Sequence, residues 1–153
     1  MQYYYLYQTP IGNIWIVEDS NYIVKINYKI DIHDMEKKET ELIKKTFQQL
    51  MDYFAGKRKM FDIPIKLTGT KFQMQVWEAL QTIPYGETWS YKHLAETVGN
   101  PKGCRAVGLA NNRNPISIIV PCHRVVGIHG DLVGYAGGID TKKYLLDIEQ
   151  NKW

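Results

Sequence analysis

The stretch TKFQMQVWEALQTIPYGETWSYKHLAETVGNPKGCRAVGLANN, residues 70–112, carries three helical signals in succession. Thr70 and Gln73 have the spacing of a capping box, and Phe72, Val76, Trp77 and Leu80 then fall on one helical stripe. Pro84-Tyr85-Gly86 stops that helix in a turn. Ser90 is placed to cap a second helix, Tyr91 to Val98, which Gly99 ends. Asn100 followed by Pro101 predicts a third helix running to about Asn112. Two short helices joined across a glycine-containing turn have the form of a helix-turn-helix, a pattern that many helical pairs share. The third helix is unusual in holding Gly103, Ala106, Gly108 and Ala110, because each glycine costs about 1 kcal/mol of helix stability. Two readings fit: a neighbour packs closely on it, or a large partner such as the floor of a DNA groove approaches its backbone. Arg105 is then the long cationic arm on a surface of small residues.

Upstream, the first third of the chain reads as a small α/β unit. Tyr3–Tyr7, Ile14–Val17 and Tyr22–Tyr28 are rich in β-branched and aromatic residues, and Pro10-Ile11-Gly12 and Asp19-Ser20-Asn21 separate them as turns. From Asp34 the period changes, and Leu42, Ile43, Phe47, Leu50, Met51 and Phe54 give one apolar face of a long helix that Gly56 closes. A short strand is expected around Phe61–Ile65. Leu67–Thr70 connects to the second unit, so the expected domains are residues 1–67 and 68–153. The predicted class is α/β (α+β): an N-terminal unit of antiparallel strands plus a long helix, then a mostly helical C-terminal domain with a helix-turn-helix.

Composition narrows the functional classes. Apolar residues make up 44% and charged residues 23%, which is ordinary globular usage and excludes intrinsic disorder. No apolar run is long enough to span a bilayer, and MQYYYLYQTP has neither a basic leader nor an apolar stretch, so no signal peptide is expected. Two cysteines, Cys104 and Cys122, are too few for a disulfide scaffold. A reduced, intracellular enzyme or binding domain is the expectation. The net charge of +3 is mild but uneven: residues 90–130 hold Lys92, Lys102, Arg105, Arg113 and Arg124 against Glu96 alone. Extending that window to Glu87 and Asp131 halves the excess, so a basic surface able to meet a polyanion is suggested beside the alternative of a solvated charged face.

Chemistry is concentrated downstream of the third helix. Pro115–Val120 reads as a β-branched strand, followed by Pro121-Cys122-His123-Arg124-Val125. A thiol beside an imidazole is a candidate nucleophile and base, because only the thiolate attacks and a nearby base or cation lowers the thiol pKa. Neighbours on a strand point to opposite faces, so for His123 to help Cys122 the chain must turn there or a water must relay the proton. Taken alone, such a dipeptide more often holds a small buried hydrophobe than a nucleophile.

The run Asn114-Pro115 through Pro121-Cys122-His123-Arg124-Val125, then Gly134-Tyr135-Ala136-Gly137-Gly138, resembles the active-site region of the O6-alkylguanine-DNA alkyltransferases, also called methylated-DNA–protein-cysteine methyltransferases. The resemblance extends back through Phe72-Gln73, Gln75-Val76-Trp77, Pro84-Tyr85-Gly86-Glu87-Thr88 and Ser90-Tyr91. It continues through Asn100-Pro101-Lys102 and Arg105-Ala106-Val107-Gly108, and forward to a helix ending at Glu149. It covers the second unit strongly and the first only in general form.

The resemblance implies a stoichiometric DNA repair alkyltransferase. Cys122 would accept the alkyl group from O6 of guanine in one in-line displacement, and O4-alkylthymine stays open as a second substrate. His123 would withdraw the thiol proton through a water, with Glu149 orienting the imidazole. Asn114 would brace the turn, and Tyr91 would hydrogen-bond the guanine as it leaves. Tyr135, the backbone at Ala136 and main-chain carbonyls near Cys122 and Val125 would line the base pocket. The third helix would lie in the minor groove, with Lys102, Arg105, Ala106, Gly108 and Asn111 toward DNA and Arg105 filling the gap left by a flipped nucleotide. The implied partner is double-stranded DNA containing O6-alkylguanine, met by a cytoplasmic monomer without a cofactor. Some family members hold a structural zinc in the first unit, but here that unit has no cysteine and only His33, so no metal is expected. Arg124 is expected to serve as a structural ion-pair partner. Two other classes compete: a lesion-binding module without transfer, which Cys122 argues against, and a Cys-His-Glu hydrolase, which would turn over.

Overall fold

The computed structural model describes residues 1–151, in two compact units that divide between Leu67 and Thr68. In the first unit, strands β1 (Gln2–Thr9), β2 (Gly12–Asp19), β3 (Tyr22–Asn27) and β4 (Met35–Lys37) form a sheet of order β3-β2-β1-β4. β1 and β2 pair antiparallel in unbroken register from Gln2↔Asp19 to Thr9↔Gly12. Ser20 and Asn21 both have positive φ, the geometry that a tight two-residue hairpin between β2 and β3 demands. β4, which the sequence did not announce, pairs parallel to β1. Three residues are too few to show a period.

Helix α1 (Glu41–Phe54), capped by Thr40, buries Ile43, Leu50, Tyr53 and Phe54. Tyr7 of β1 stacks on its Phe47, with ring centroids 3.8 Å apart. The strand expected at Phe61–Ile65 is only an isolated bridge, Ile23↔Ile65. Pro64 lacks the N–H that a longer ladder needs, although its carbonyl accepts from Ile23.

The second unit begins with α2 (Lys71–Leu80), whose Thr70–Gln73 capping box is complete. The Trp77 indole N–H reaches across to the Ala110 carbonyl at 2.9 Å. Strand β5 (Trp89–Ser90) leads directly into α3 (Tyr91–Thr97), capped by Ser90, and α4 (Cys104–Asn112) completes the helix-turn-helix. α4 starts later than expected, because Asn100 closes a turn over Gly103 instead of capping a helix at Pro101. β6 (Val125–Val126) and α5 (Ile139–Glu149) follow.

Pro115–Val120 is not a strand. Ile118 has φ of 74°, rare for a β-branched residue, and the chain folds back so that Ser117 bridges Val120. The reason lies in Asn114. Its side chain accepts from Ile116 N and donates to the carbonyls of Ile116 and Val120, at 3.0, 3.3 and 2.7 Å, replacing ladder bonds with a local clasp.

Candidate active site

The Asn114 clasp delivers the chain into a single 3-10 turn, Cys122–Arg124. This turn answers the geometric objection to an adjacent thiol and imidazole, since the two no longer alternate across a strand. Immediately afterwards β6 pairs parallel with β5, Trp89↔Val125 and Ser90↔Val126. That two-residue ladder joins the entry of the helix-turn-helix to the cysteine turn, and it brings Tyr91 of α3 to the neighbourhood of Cys122. Both cysteines are free: Cys104 is exposed and Cys122 is 5% exposed.

Behind the turn lies a buried charge cluster. Glu149, the last residue of α5, accepts from His123 Nε2 at 2.6 Å, from Arg124 Nε at 2.8 Å and Nη2 at 3.2 Å, and from Gly86 N at 3.4 Å. Arg124 also donates to the Ile83 carbonyl at 2.7 Å, as expected of a structural partner. Burial alone would raise the Glu149 pKa, but the contacts with His123 and then Arg124 outweigh it and hold the carboxyl well below the usual range. Burial pushes the His123 pKa down, so the ring is neutral at pH 7. A neutral imidazole facing a carboxylate carries its hydrogen on Nε2, which makes Nδ1 the basic nitrogen.

A second cation enters from α5. Lys142 is fully buried, its Nζ donating to the Val133 carbonyl at 2.9 Å and lying 5.7 Å from the centre of the Tyr91 ring. Burial lowers its pKa to about 8, while the Cys122 charge acts to raise it. Burial likewise pushes the Cys122 thiol up, opposed by a hydrogen bond with Asn114 and by the charge of Lys142. Because Arg124 already neutralises Glu149, the natural counter-ion for the Lys142 ammonium in this cluster is the Cys122 thiolate. Asn114 and Lys142 thus partly offset the burial that favours the protonated thiol.

The exposed side is formed by α4. Lys102, Arg105 and Ala106 are exposed, and a groove of about 420 Å³ is lined by Tyr91, Cys104, Arg105, Gly108, Asn112, Val133 and Gly134. A Cβ on Gly108 would meet only the Tyr91 ring, at an ordinary 3.7 Å, so internal packing does not require glycine there. Arg105 is not the sole long side chain of α4 outside the core, since Leu109 is 54% exposed. Among the described residues no group of three or more His, Cys, Asp or Glu side chains could hold a metal ion, and no helix is long and apolar enough to cross a membrane.

Comparison with known proteins gives the family. The model of the 6-O-methylguanine DNA methyltransferase DNA binding domain matches residues 71–151, and that of the same family's ribonuclease-like domain matches residues 2–67. The chain belongs to the 6-O-methylguanine DNA methyltransferase family. A methylated-DNA–protein-cysteine methyltransferase of Methanosarcina acetivorans is 48% identical, over 96% of this chain and 97% of the relative. The constitutive enzyme of that name from Bacillus subtilis is 45% identical, over 98% and 96%. The crystal structure of Mycobacterium tuberculosis OGT in complex with DNA superimposes with a TM-score of 0.92 at 41% identity, covering 98% of this chain and 94% of that one.

Within this methyltransferase fold, Cys122, His123, Glu149, Asn114 and Tyr91 come together around the 3-10 turn. Val125 is buried, and its N–H closes the turn onto the Cys122 carbonyl. Tyr135 is half-buried and Ala136 exposed in the loop before α5. Asn111 departs from expectation: it faces inward, 0% exposed, with Nδ2 donating to the Cys122 carbonyl at 3.3 Å. A residue so placed cannot meet the DNA backbone. Lys142 was missed by reasoning from sequence, though a signal existed. It holds the first position of the buried stripe 142, 145, 146 and 149 on α5, where a charged residue needs an explanation.

Proposed function

We propose that this protein repairs double-stranded DNA by transferring the alkyl group of O6-alkylguanine irreversibly to Cys122 Sγ. The observation that carries the reading is the buried Cys122 thiol in one 3-10 turn with His123, which Glu149 orients, and acted on by the charge of the buried Lys142. In this reading His123 Nδ1 takes the thiol proton through a water, and Lys142 and the Asn114 side chain stabilise the thiolate. Sγ attacks the alkyl carbon as the carbon–O6 bond breaks, and that electron pair moves into the purine, where the Tyr91 hydroxyl donates a hydrogen bond to it. The base regains a proton from solvent, leaving guanine and S-alkylcysteine. The neutral sulfide has no basic site to return the group, so each molecule acts once. Arg105 at the start of α4 fills the stack while the nucleotide is extruded. The protein acts as a cytoplasmic monomer, without cofactor.

Mass measurement after incubation with duplex DNA containing O6-methylguanine tests this. The protein gains one methylene, confined to the peptide containing Cys122, and the DNA loses its lesion one-for-one. Label on Cys104, or repair of many lesions per protein, would overturn the assignment.

A further inference from the structure

The side chain of Asn111 reaches both reacting poles of the site. Gly108 of α4 sits against the Tyr91 ring, and Asn111, one turn further on, presents its amide to the Tyr91 hydroxyl. The same amide donates from Nδ2 to the Cys122 carbonyl, and its Oδ1, fully buried, has no hydrogen-bond partner among the described residues. Tyr91 Oη meanwhile donates to the Val133 carbonyl at 3.1 Å, the acceptor that Lys142 also uses.

We infer that Asn111 is a positioning residue for the transfer reaction: by donating to the Tyr91 oxygen it turns the phenolic hydrogen outward and makes it a better donor to the departing base. The inference rests on the function proposed above. A primary amide has two N–H donors. One holds the Cys122 carbonyl, and the other is available for a Tyr91 lone pair, so one side chain sets the spacing between nucleophile and leaving-group donor. An amide hydrogen on the phenol oxygen leaves that oxygen only one useful role, donation. At rest the hydrogen goes to Val133; with a base in the pocket it moves to a ring nitrogen. Burial and the nearby thiolate make Tyr91 a weaker acid, and Asn111 opposes both.

A double-mutant cycle decides the matter. Second-order rates of Cys122 alkylation by O6-benzylguanine are measured for wild type, Asn111→Leu and Asn111→Asp, and for each change in a Tyr91→Phe background. The end-point stoichiometry counts the folded sites, so a loss of folded protein does not enter the rate. Asn111→Leu slows the wild type roughly tenfold but the Tyr91→Phe protein less than about twofold, because contacting residues couple and the phenol is already gone. Asn111→Asp, near-isosteric and unable to donate when ionised, slows the wild type at least as much as leucine. Equal losses in both backgrounds would show that Asn111 merely supports the cysteine turn, and the inference would fall. Failure of the wild type to be alkylated on Cys122 would instead sink the functional reading itself.

Discussion

Lys142 is a full-length cation in the apolar stripe of α5, and the surrounding groups explain why it is tolerated. It faces Cys122, His123 and Tyr91, with Glu149 already tied to Arg124. Replacing it with Gln keeps a donor for the Val133 carbonyl and removes only the charge. The expected result is a higher Cys122 thiol pKa, read as an alkaline shift of the pH–rate profile for alkylation by O6-benzylguanine, and slower transfer at pH 7. An unshifted profile would mean that the ammonium does not act on the thiolate. Arg124 makes the complementary case. Arg124→Met leaves a buried Glu149 without its main neutralising partner, which typically costs roughly 3–5 kcal/mol. Arg124 also helps keep His123 unprotonated. Its loss should therefore move the acid limb of the transfer profile to higher pH, and a thermal melt with no drop would contradict the ion pair's role.

At the level of elements, α4 joins the exposed groove to the cysteine turn. Extruding a nucleotide costs a few kcal/mol of unstacking unless something fills the gap, and the planar guanidinium of Arg105 can both stack and hydrogen-bond the orphaned base. Arg105→Ala should slow repair in duplex DNA severely while leaving reaction with free O6-benzylguanine much nearer to wild type, since a free base needs no extrusion. Arg105→Lys should recover little, because an ammonium cannot stack. Paired second-order rates on the two substrates test this. If both fell together, Arg105 would be supporting the thiol or the fold. Leu109, equally outward on α4, is the second side chain available to such a contact.

For the molecule as a whole, reaction and acidity should both be felt in stability. A methyl group added to Cys122 overpacks a fitted site at roughly 1–3 kcal/mol. It also removes the counter-ion from Lys142. The alkylated protein should melt roughly 2–12 °C lower, at about 2–4 °C per kcal/mol for a chain of this size. An unchanged or raised melting point would count against a buried acceptor. The sign of the acid response follows from the two depressed pKa values. Unfolded His123 takes up a proton as pH falls through about 6.5 while the folded ring resists, and Glu149 behaves alike through the ordinary carboxylate range. Stability from both is present above those values and is lost on acidification, beginning near pH 6.5. A flat denaturation midpoint between pH 7 and 5 would refute it.

Local signals were legible from the chain alone. The Thr70–Gln73 box, the Ser90 cap, the α1 stripe and the hairpin turns involve residues within a few positions of one another, so their hydrogen bonds and periods are written in sequence order. The family was legible through the resemblance that the Cys-His-Arg run carries. What tertiary structure decided lies at long range or in competition between local options. Asn114 overrode the β-branched run 115–120 with a clasp, and Asn100 closed a turn where Pro101 suggested a helix start. The Trp89↔Val125 pairing, only two residues long, leaves no period to detect, yet it sets Tyr91 beside Cys122. Asn111 and Lys142 have the composition of surface residues, and only the packing of α4 and α5 against the cysteine turn carried them inside. Burial there sets the Asn111 amide on the Cys122 carbonyl and brings the Lys142 charge to bear on the thiol, because in a low-dielectric interior a charge or a donor that water would screen acts more strongly on its neighbour.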